Sequence, residues 1–174
     1  MAVTISLREA TLTDAEALSD LAQETWAAAF SHTMTPDELS AYNERTLSPS
    51  QLREKLARNA FLVAVRGQTL IGFVEFGDVT FAPEHFTPPA TQHPNGGQVD
   101  RLYVLAAFQN EGLGSRLLEA ALRHPRLKDK KTIYLDVWPE NHGAIRFYRR
   151  YGFTQKVGEV PFGDERDDIL ALER

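Results

Sequence analysis

The chain contains no cysteine, which excludes disulfide cross-links, thiolate-ligated zinc, iron–sulfur clusters and a cysteine nucleophile. Long hydrophobic runs are missing as well. The longest apolar stretches, Trp26–Phe30 and Ala60–Val65, fall far short of the ~18 residues of a membrane span. The start Met1-Ala2-Val3-Thr4 has neither the basic opening nor the apolar stretch of a secretory signal, so a cytoplasmic location with no membrane partner is expected. Positive charge is also in short supply: 19 Lys and Arg stand against 24 Asp and Glu, a net charge of −5. Nucleic acid is therefore not expected as a partner, since neutralising phosphates takes clustered cations. What is present is 174 residues, 43% of them hydrophobic, the length and apolar content of a single domain, 1–174, with a real core. No internal repeat, low-complexity tract or linker interrupts it.

Val3–Leu7 alternates like a half-buried strand. Thr13-Asp14-Ala15-Glu16 has capping-box spacing and predicts a helix to about Phe30, with Leu18, Leu21, Ala22, Trp26 and Ala29 on one face. Thr35-Pro36-Asp37-Glu38 and Ser48-Pro49-Ser50-Gln51 repeat the start signal. Ala60–Arg66 and Thr69–Phe76 read as strands joined by a Gly67-Gln68 turn. Residues 77–97 hold Pro83, Pro88, Pro89 and Pro94 and end in Asn95-Gly96-Gly97. They read as a long loop, and such length is more typical of a binding flap or mobile segment than of filler. Its His85 and His93 lack acidic neighbours at ligand spacing, and no metal is expected. Gln98–Leu105 resumes strand character and Gly112–His124 is helical. In Thr132–Trp138, Ile133, Leu135 and Val137 alternate with Tyr134, Asp136 and Trp138. Asn141 caps a helix that Gly152 ends, and Val157–Pro161 with Asp168–Leu172 form a closing strand pair. The outline is α/β.

The informative stretch is Leu102–Leu118, where a strand feeds a short loop that enters a helix through Gly112 and Gly114. A helix N-terminus offers unpaired N–H groups and a positive dipole end, and glycines let an anion approach the backbone. A lone Gly-x-Gly is equally a tight turn. No G-x-x-x-x-G-K-[ST] run occurs, and a dinucleotide fingerprint would need glycine where Leu117 stands. Asp136 does fall where a ribose-binding acid would sit, so that alternative is not empty.

Gln109-Asn110-Glu111-Gly112-Leu113-Gly114 matches a Q/R-x-x-G-x-G/A motif. Asn141, Ala144, Phe147, Tyr148, Gly152 and Phe153 fit N-x-x-A-x-x-F-Y-x-x-x-G-F. With both motifs in order, the chain resembles the GNAT superfamily of acetyl-CoA-dependent N-acetyltransferases over essentially its whole length. Trp26 to Tyr42 around Met34, Asp100-Arg101, Val137-Trp138 and Phe162-Gly163-Asp164-Glu165 leading to Asp168 are similar to the bacterial polyamine (spermidine/spermine) N-acetyltransferases within it.

The resemblance implies a mixed, mostly antiparallel sheet of six to seven strands, flanked by helices and splayed between the fourth and fifth strands. It implies acetyl-CoA as co-substrate, no metal, and direct transfer to a primary amine, a polyamine or other small cationic amine. A protein N-terminus or lysine as acceptor stays open, as does a non-catalytic acyl-CoA-binding regulatory module; a homodimer is compatible with any of these. Backbone groups of Leu102, Tyr103 and Val104 would hold the pantetheine arm. The N–H groups of Gln109, Asn110, Glu111, Gly112, Leu113, Gly114 and Ser115 would hold the pyrophosphate, with Arg116 in the first helical turn adding positive potential where the family's usual basic loop residue is replaced by Glu111. Asn141 and Tyr148 would lie near the thioester, with Tyr148 protonating the departing thiolate; the alternative for Tyr148 is a core aromatic.

An ammonium has no lone pair, and a carboxylate, often acting through water, commonly collects its proton. Asp100 is the first candidate base, since it shares strand parity with Leu102 and Val104, and Glu75 the second. Asp100 is equally readable as an ion-paired edge carboxylate. Glu24, Asp37, Glu38 and Glu44 early in the chain, and Asp164, Glu165, Asp167 and Asp168 near its end, would steer a cation or simply form a solvated acidic surface.

Overall fold

Alternation and cap signals translate, in the computed structural model, into a chain of strands and helices described for residues 4–88, 90 and 92–174. Val3, the expected start of the first strand, and Pro89 and Thr91 within 77–97 lie outside the described residues. Residue contacts divide the chain into two compact units, Met1–Phe76 with Arg101–Arg123 and Gly77–Asp100 with His124–Arg174.

The first unit carries β1 (Ile5–Glu9), α1 (Ala15–Phe30), α2 (Pro36–Tyr42), a π-helical turn (Asn43–Leu47), α3 (Pro49–Arg58), β2 (Ala60–Arg66) and all but the last residue of β3 (Thr69–Gly77). The end of β4 (Gly96–Val104) and α4 (Leu113–Arg123) complete it. β1, β2 and β3 pair antiparallel in sequence. β1 is shifted from the expected span because Ile5↔Arg66 through Glu9↔Leu62 sets its register. The first capping box is also displaced. Asp14, not Glu16, reaches back, accepting from the Thr11 N–H at 2.8 Å. Arg8 grips both Asp14 oxygens at 2.8 Å, which fixes that carboxylate, while Glu16 pairs with Arg53 instead. Thr35 and Glu38 form the expected box at α2. Leu18, Leu21, Ala22 and Trp26 of α1 are buried, as are Leu117, Leu118 and Ala121 of α4.

The second unit carries the start of β4, β5 (Thr132–Val137), α5 (His142–Arg150), β6 (Gln155–Phe162) and β7 (Glu165–Glu173). β5 and β6 both pair antiparallel with β7. β4 runs parallel to β5 through Gly96↔Thr132, Gly97↔Ile133 and Gln98↔Tyr134, and among the described residues the pairing ends there. The strand order β1-β2-β3-β4-β5-β7-β6 is thus mixed and mostly antiparallel, with β4 and β5 parallel over three pairs.

One expectation for 77–97 is corrected. Gly96 and Gly97 belong to β4 and are buried. Glycine is needed because a Cβ at Gly96 would press on Tyr134 and Val79, and one at Gly97 on Leu127. Among the described residues of the remainder, three are held in place. Phe81 and Phe86 are buried against Tyr134, Ile169 and Ala171, and the Thr87 N–H donates to the Val157 carbonyl at 2.9 Å. Phe86 also bridges to Gly158, where any Cβ would run into the His85 carbonyl oxygen and the Phe86 backbone. Apolar anchors and a backbone bond hold down a stretch whose described residues are mostly irregular, as its composition suggests.

Candidate active site

In the first unit, β4 leads through Leu102, Tyr103 and Val104 into a 3₁₀ turn at Ala106–Phe108 and then an exposed loop. The Leu105 N–H donates to the Ile71 carbonyl at 2.9 Å. Gly72 allows this strand close in, since a Cβ there would sit 3.1 Å from the Tyr103 oxygen and 3.3 Å from Leu117. The Gln109 amide donates to the Val104 carbonyl at 3.0 Å, tying the loop to the strand end. Asn110 and Gly112 take left-handed conformations, with φ of +64° and +74°, which suits asparagine and glycine. Nothing lies within 4 Å of where a Gly112 side chain would project, so the loop is open above that glycine. Glu111 is exposed, and Leu113 turns inward and is buried. The N–H groups of Leu113, Gly114 and Ser115 at the start of α4 lie outside the helix's own hydrogen-bond ladder, as at any helix N-terminus. Such a helix start offers unpaired N–H donors and a positive dipole end. Arg116 hydrogen-bonds the Ile5 carbonyl of β1 at 3.2 Å.

Glu75 also lies in this unit, only 1% exposed. One of its oxygens accepts from Asn59 at 2.8 Å and the other from Arg101 at 2.9 Å, with the Lys55 ammonium at 4.0 Å. Arg101 also reaches the Tyr42 hydroxyl at 3.3 Å. Tyr42 stacks on Trp26 with ring centroids 4.2 Å apart and planes 8° from parallel. Burial works against the Arg101 charge, but Glu75, then Tyr42, outweigh it and hold the guanidinium protonated.

In the second unit, Asp100 is half-buried near the end of that unit's part of β4 and accepts from the Gln98 amide at 2.8 Å. Asn141 caps α5, accepting from the Ala144 N–H at 3.1 Å. Tyr148 is half-buried on α5, between Phe147 at 5.2 Å and Phe153 at 6.0 Å. Burial, and after it the Asp136 carboxylate, raises its pKa, so the hydroxyl keeps its proton across the neutral range.

Sequence reasoning treated Asp136 and Asp167 separately, but strand register unites them. Asp136 pairs with Ile169, so Asp167 is its diagonal neighbour on the same face. Gln98 pairs with Tyr134, so two residues further along, Asp100 and Asp136 occupy that face too. Asp136 and Asp167 are therefore neighbours on one face, and Asp100 shares its parity two residues beyond the last described β4–β5 pair. Burial, then the charge and hydrogen bond of Asp136, then Glu165 and Asp168, push the Asp167 carboxyl up to about 7. The readable signal was the parity of Asp136 with Tyr134 and of Asp167 with Ile169 and Ala171.

Compared with known proteins, residues 15–153 match the Acetyltransferase (GNAT) family. The chain belongs to that family and is an acetyl-CoA-dependent N-acetyltransferase. An uncharacterized N-acetyltransferase in the pepI 3' region of Lactobacillus delbrueckii subsp. lactis is 28% identical over 158 residues, 88% of this chain and 87% of that protein. The spermine/spermidine N(1)-acetyltransferase of Bacillus subtilis is 36% identical over 106 residues, 59% of this chain and 69% of that enzyme. In fold, the chain is similar to the PaiA N-acetyltransferase of Thermoplasma acidophilum, solved in complex with coenzyme A. The TM-score is 0.76 at 22% identity, covering 98% of this chain and 99% of that one. No helix among the described residues is long and apolar enough to cross a membrane.

The raised Asp167 carboxyl makes a stability prediction with a definite sign. In the unfolded chain the group ionises in the ordinary carboxylate range, whereas in the folded chain it holds its proton to about pH 7. Stability therefore falls between those limits as pH rises, and the full cost persists above them. Asp167→Asn removes that cost. It should stabilise the protein by about 1 kcal/mol at pH 8, after discounting for solvent screening, and by nothing at pH 4. Urea melts at the two pH values check this; an equal effect at both would contradict it.

Proposed function

We propose that the acetyl acceptor is a primary amine on a small polycationic molecule, a polyamine foremost. The observation that carries this reading is the acidic surrounding of half-buried Asp167, where burial and then the neighbouring Asp136, Glu165 and Asp168 hold a proton on its carboxyl to about pH 7. Ammonium groups spaced along a chain are natural counterions for such a surrounding, and each would favour the ionised form of its partner. Similarity to the spermine/spermidine N(1)-acetyltransferase of Bacillus subtilis supports the same substrate class.

Acetyl-CoA, when bound, supplies the activated acetyl thioester. Its pyrophosphate would rest on the N–H groups of Gln109, Asn110, Glu111, Gly112, Leu113, Gly114 and Ser115. The open space over Gly112 and the left-handed turn at Asn110 and Gly112 fit that role. Backbone groups of Leu102, Tyr103 and Val104 would hold the pantetheine arm, and Asn141 would orient the thioester. Asp100 would take the ammonium proton, leaving the amine lone pair free to attack. Glu75 is less suited to that task, because both its oxygens are engaged by Asn59 and Arg101; we assign it to holding Arg101. Tyr148 would donate to the sulfur as the C–S bond breaks. Its raised pKa makes complete proton transfer uphill, so much of its contribution is the hydrogen bond to the developing thiolate. We further read residues 1–174 as one catalytic domain, since β4 contributes residues to both units.

Thiol release from acetyl-CoA across an amine panel tests the acceptor. Spermidine and short diamines should give the highest kcat/KM, ahead of neutral-bodied monoamines and of peptides with free N-termini. Their lead should shrink as salt rises, because exposed charges are screened over about 8 Å at physiological ionic strength. A preference for monoamines or peptides would overturn the reading.

Tyr148→Phe keeps the packed ring and removes only the hydroxyl. With the hydroxyl acting mainly as a hydrogen-bond donor, kcat should drop by roughly 10²-fold, the lower end of general-acid effects, with KM for acetyl-CoA little changed. Single-turnover kinetics that show wild-type chemistry would leave Tyr148 a packing residue.

A further inference from the structure

Helix α2 has little of its own to hold it. It is seven residues long, well below the length at which a helix stands alone, and none of its residues is buried. Its half-buried last residue, Tyr42, reaches two neighbours within the first unit. The ring stacks on Trp26 of α1 with centroids 4.2 Å apart, and the hydroxyl accepts from Arg101 Nη2 at 3.3 Å. Arg101 Nη1 donates to buried Glu75 of β3 at 2.9 Å, and Nε has no hydrogen-bond partner among the described residues. One bond to β3 and one to α2 therefore fix this guanidinium. Both of these neighbours of Tyr42 also grip β4. Arg101 is a residue of that strand, and Trp26 meets the Tyr103 ring edge-on at 6.4 Å. Arg101 and Tyr103 lie two apart, on one face of the strand. The Leu105 N–H donates to the Ile71 carbonyl of β3, so the Val104 N–H, one residue back, faces away from β3. Leu102, Tyr103 and Val104 are each partly exposed.

We propose that Tyr42 is a positioning residue for the cofactor: through Arg101 and Trp26 it braces β4 at 102–104, so that docking of α2 and binding of acetyl-CoA support one another. This rests on the reading of 102–104 as the segment that holds the pantetheine arm. Hydrogen bonds to a strand edge form well only if the edge keeps one geometry. The side chains at 101 and 103 help to set that geometry. Arg101 loses a direct partner when Tyr42 withdraws, and Tyr103 loses the support behind Trp26. A cofactor that needs the braced edge binds the docked state of α2 better, and by linkage draws α2 into that state. α2 carries Asp37 and Glu38, both exposed, so the cofactor also fixes where two carboxylates sit.

Amide hydrogen exchange and calorimetry with coenzyme A itself test this in wild type, Tyr42→Phe and Tyr42→Ala. In the wild type, coenzyme A should slow exchange at 102–105 and, together with it, at 37–42. Tyr42→Phe keeps the stacked ring and loses only the bond from Arg101. In the free protein it should speed exchange at 37–42 by roughly tenfold, the scale of a hydrogen bond to a charged group, and it should weaken coenzyme A binding by about threefold. Tyr42→Ala removes the stack as well and should weaken binding roughly tenfold. Exchange along α4 in the free variants should match wild type, which marks the effect as local. For Tyr42→Phe, KM for acetyl-CoA should rise while kcat at saturation stays near wild type. This milder variant carries the test should Tyr42→Ala fail to fold. If coenzyme A slows exchange at 102–105 but not at 37–42, or if Tyr42→Phe binds it as tightly as wild type, Tyr42 is a packing residue and the proposal is wrong while the strand reading stands. If coenzyme A binds and leaves 102–105 unprotected, the strand reading falls and the proposal with it.

Discussion

The parallel ladder between β4 and β5 stops at Gln98↔Tyr134, and the chemistry of the second unit depends on that stop. Strands that continue side by side satisfy one another's backbone groups; strands that part must find other partners for them. The three pairs that do form are made possible by Gly96 and Gly97, which clear room for Tyr134, Val79 and Leu127. The described part of residues 78–95 is pinned at Phe81, Phe86 and Thr87, and its Thr80 meets Gln98. Beyond the last pair come Asp136 and Asp167, neighbours on one face, and Asp100, which shares their parity.

Carboxylates in this chain show how environment assigns different tasks to one functional group. Asp14 is clamped by Arg8 and the Thr11 N–H and starts a helix. Glu75 is enclosed by Arg101, Asn59 and Lys55, and orders the aromatic stack of Trp26 and Tyr42 through Arg101. Near β6 and β7, Lys156 is taken by Glu159 and Asp168, and Arg166 by Glu159. Asp167, half-buried and beside Asp136, Glu165 and Asp168, retains its proton to about pH 7, through burial first and those charges second. A group in that state gains from an arriving cation, whereas Asp14 and Glu75 already have theirs.

Much of this was legible in the sequence, for identifiable reasons. The box at Thr35–Glu38, the hairpin turn at Gly67, the Asn141 cap and the stop at Gly152 are local signals decided within four residues, and each appears where the pattern placed it. The two motifs around Gly112 and Tyr148 led to the family. The misreadings have long-range causes. Arg8, six residues from Asp14, moved the first capping box. Distant Tyr134 and Leu127 turned the turn-like Asn95-Gly96-Gly97 into a strand start. The pairing of Asp136 with Asp167 was invisible because it needs the register of β5 and β7, although each member showed its face by parity.

The central claim is that these acids select a polycationic acceptor. Asp136→Asn, assayed with a diamine and with a neutral-bodied amine of equal length, tests it most directly. The account predicts a higher KM for the diamine, little change for the neutral-bodied amine, and a difference that fades at high salt. An equal loss for both amines, independent of salt, would contradict it.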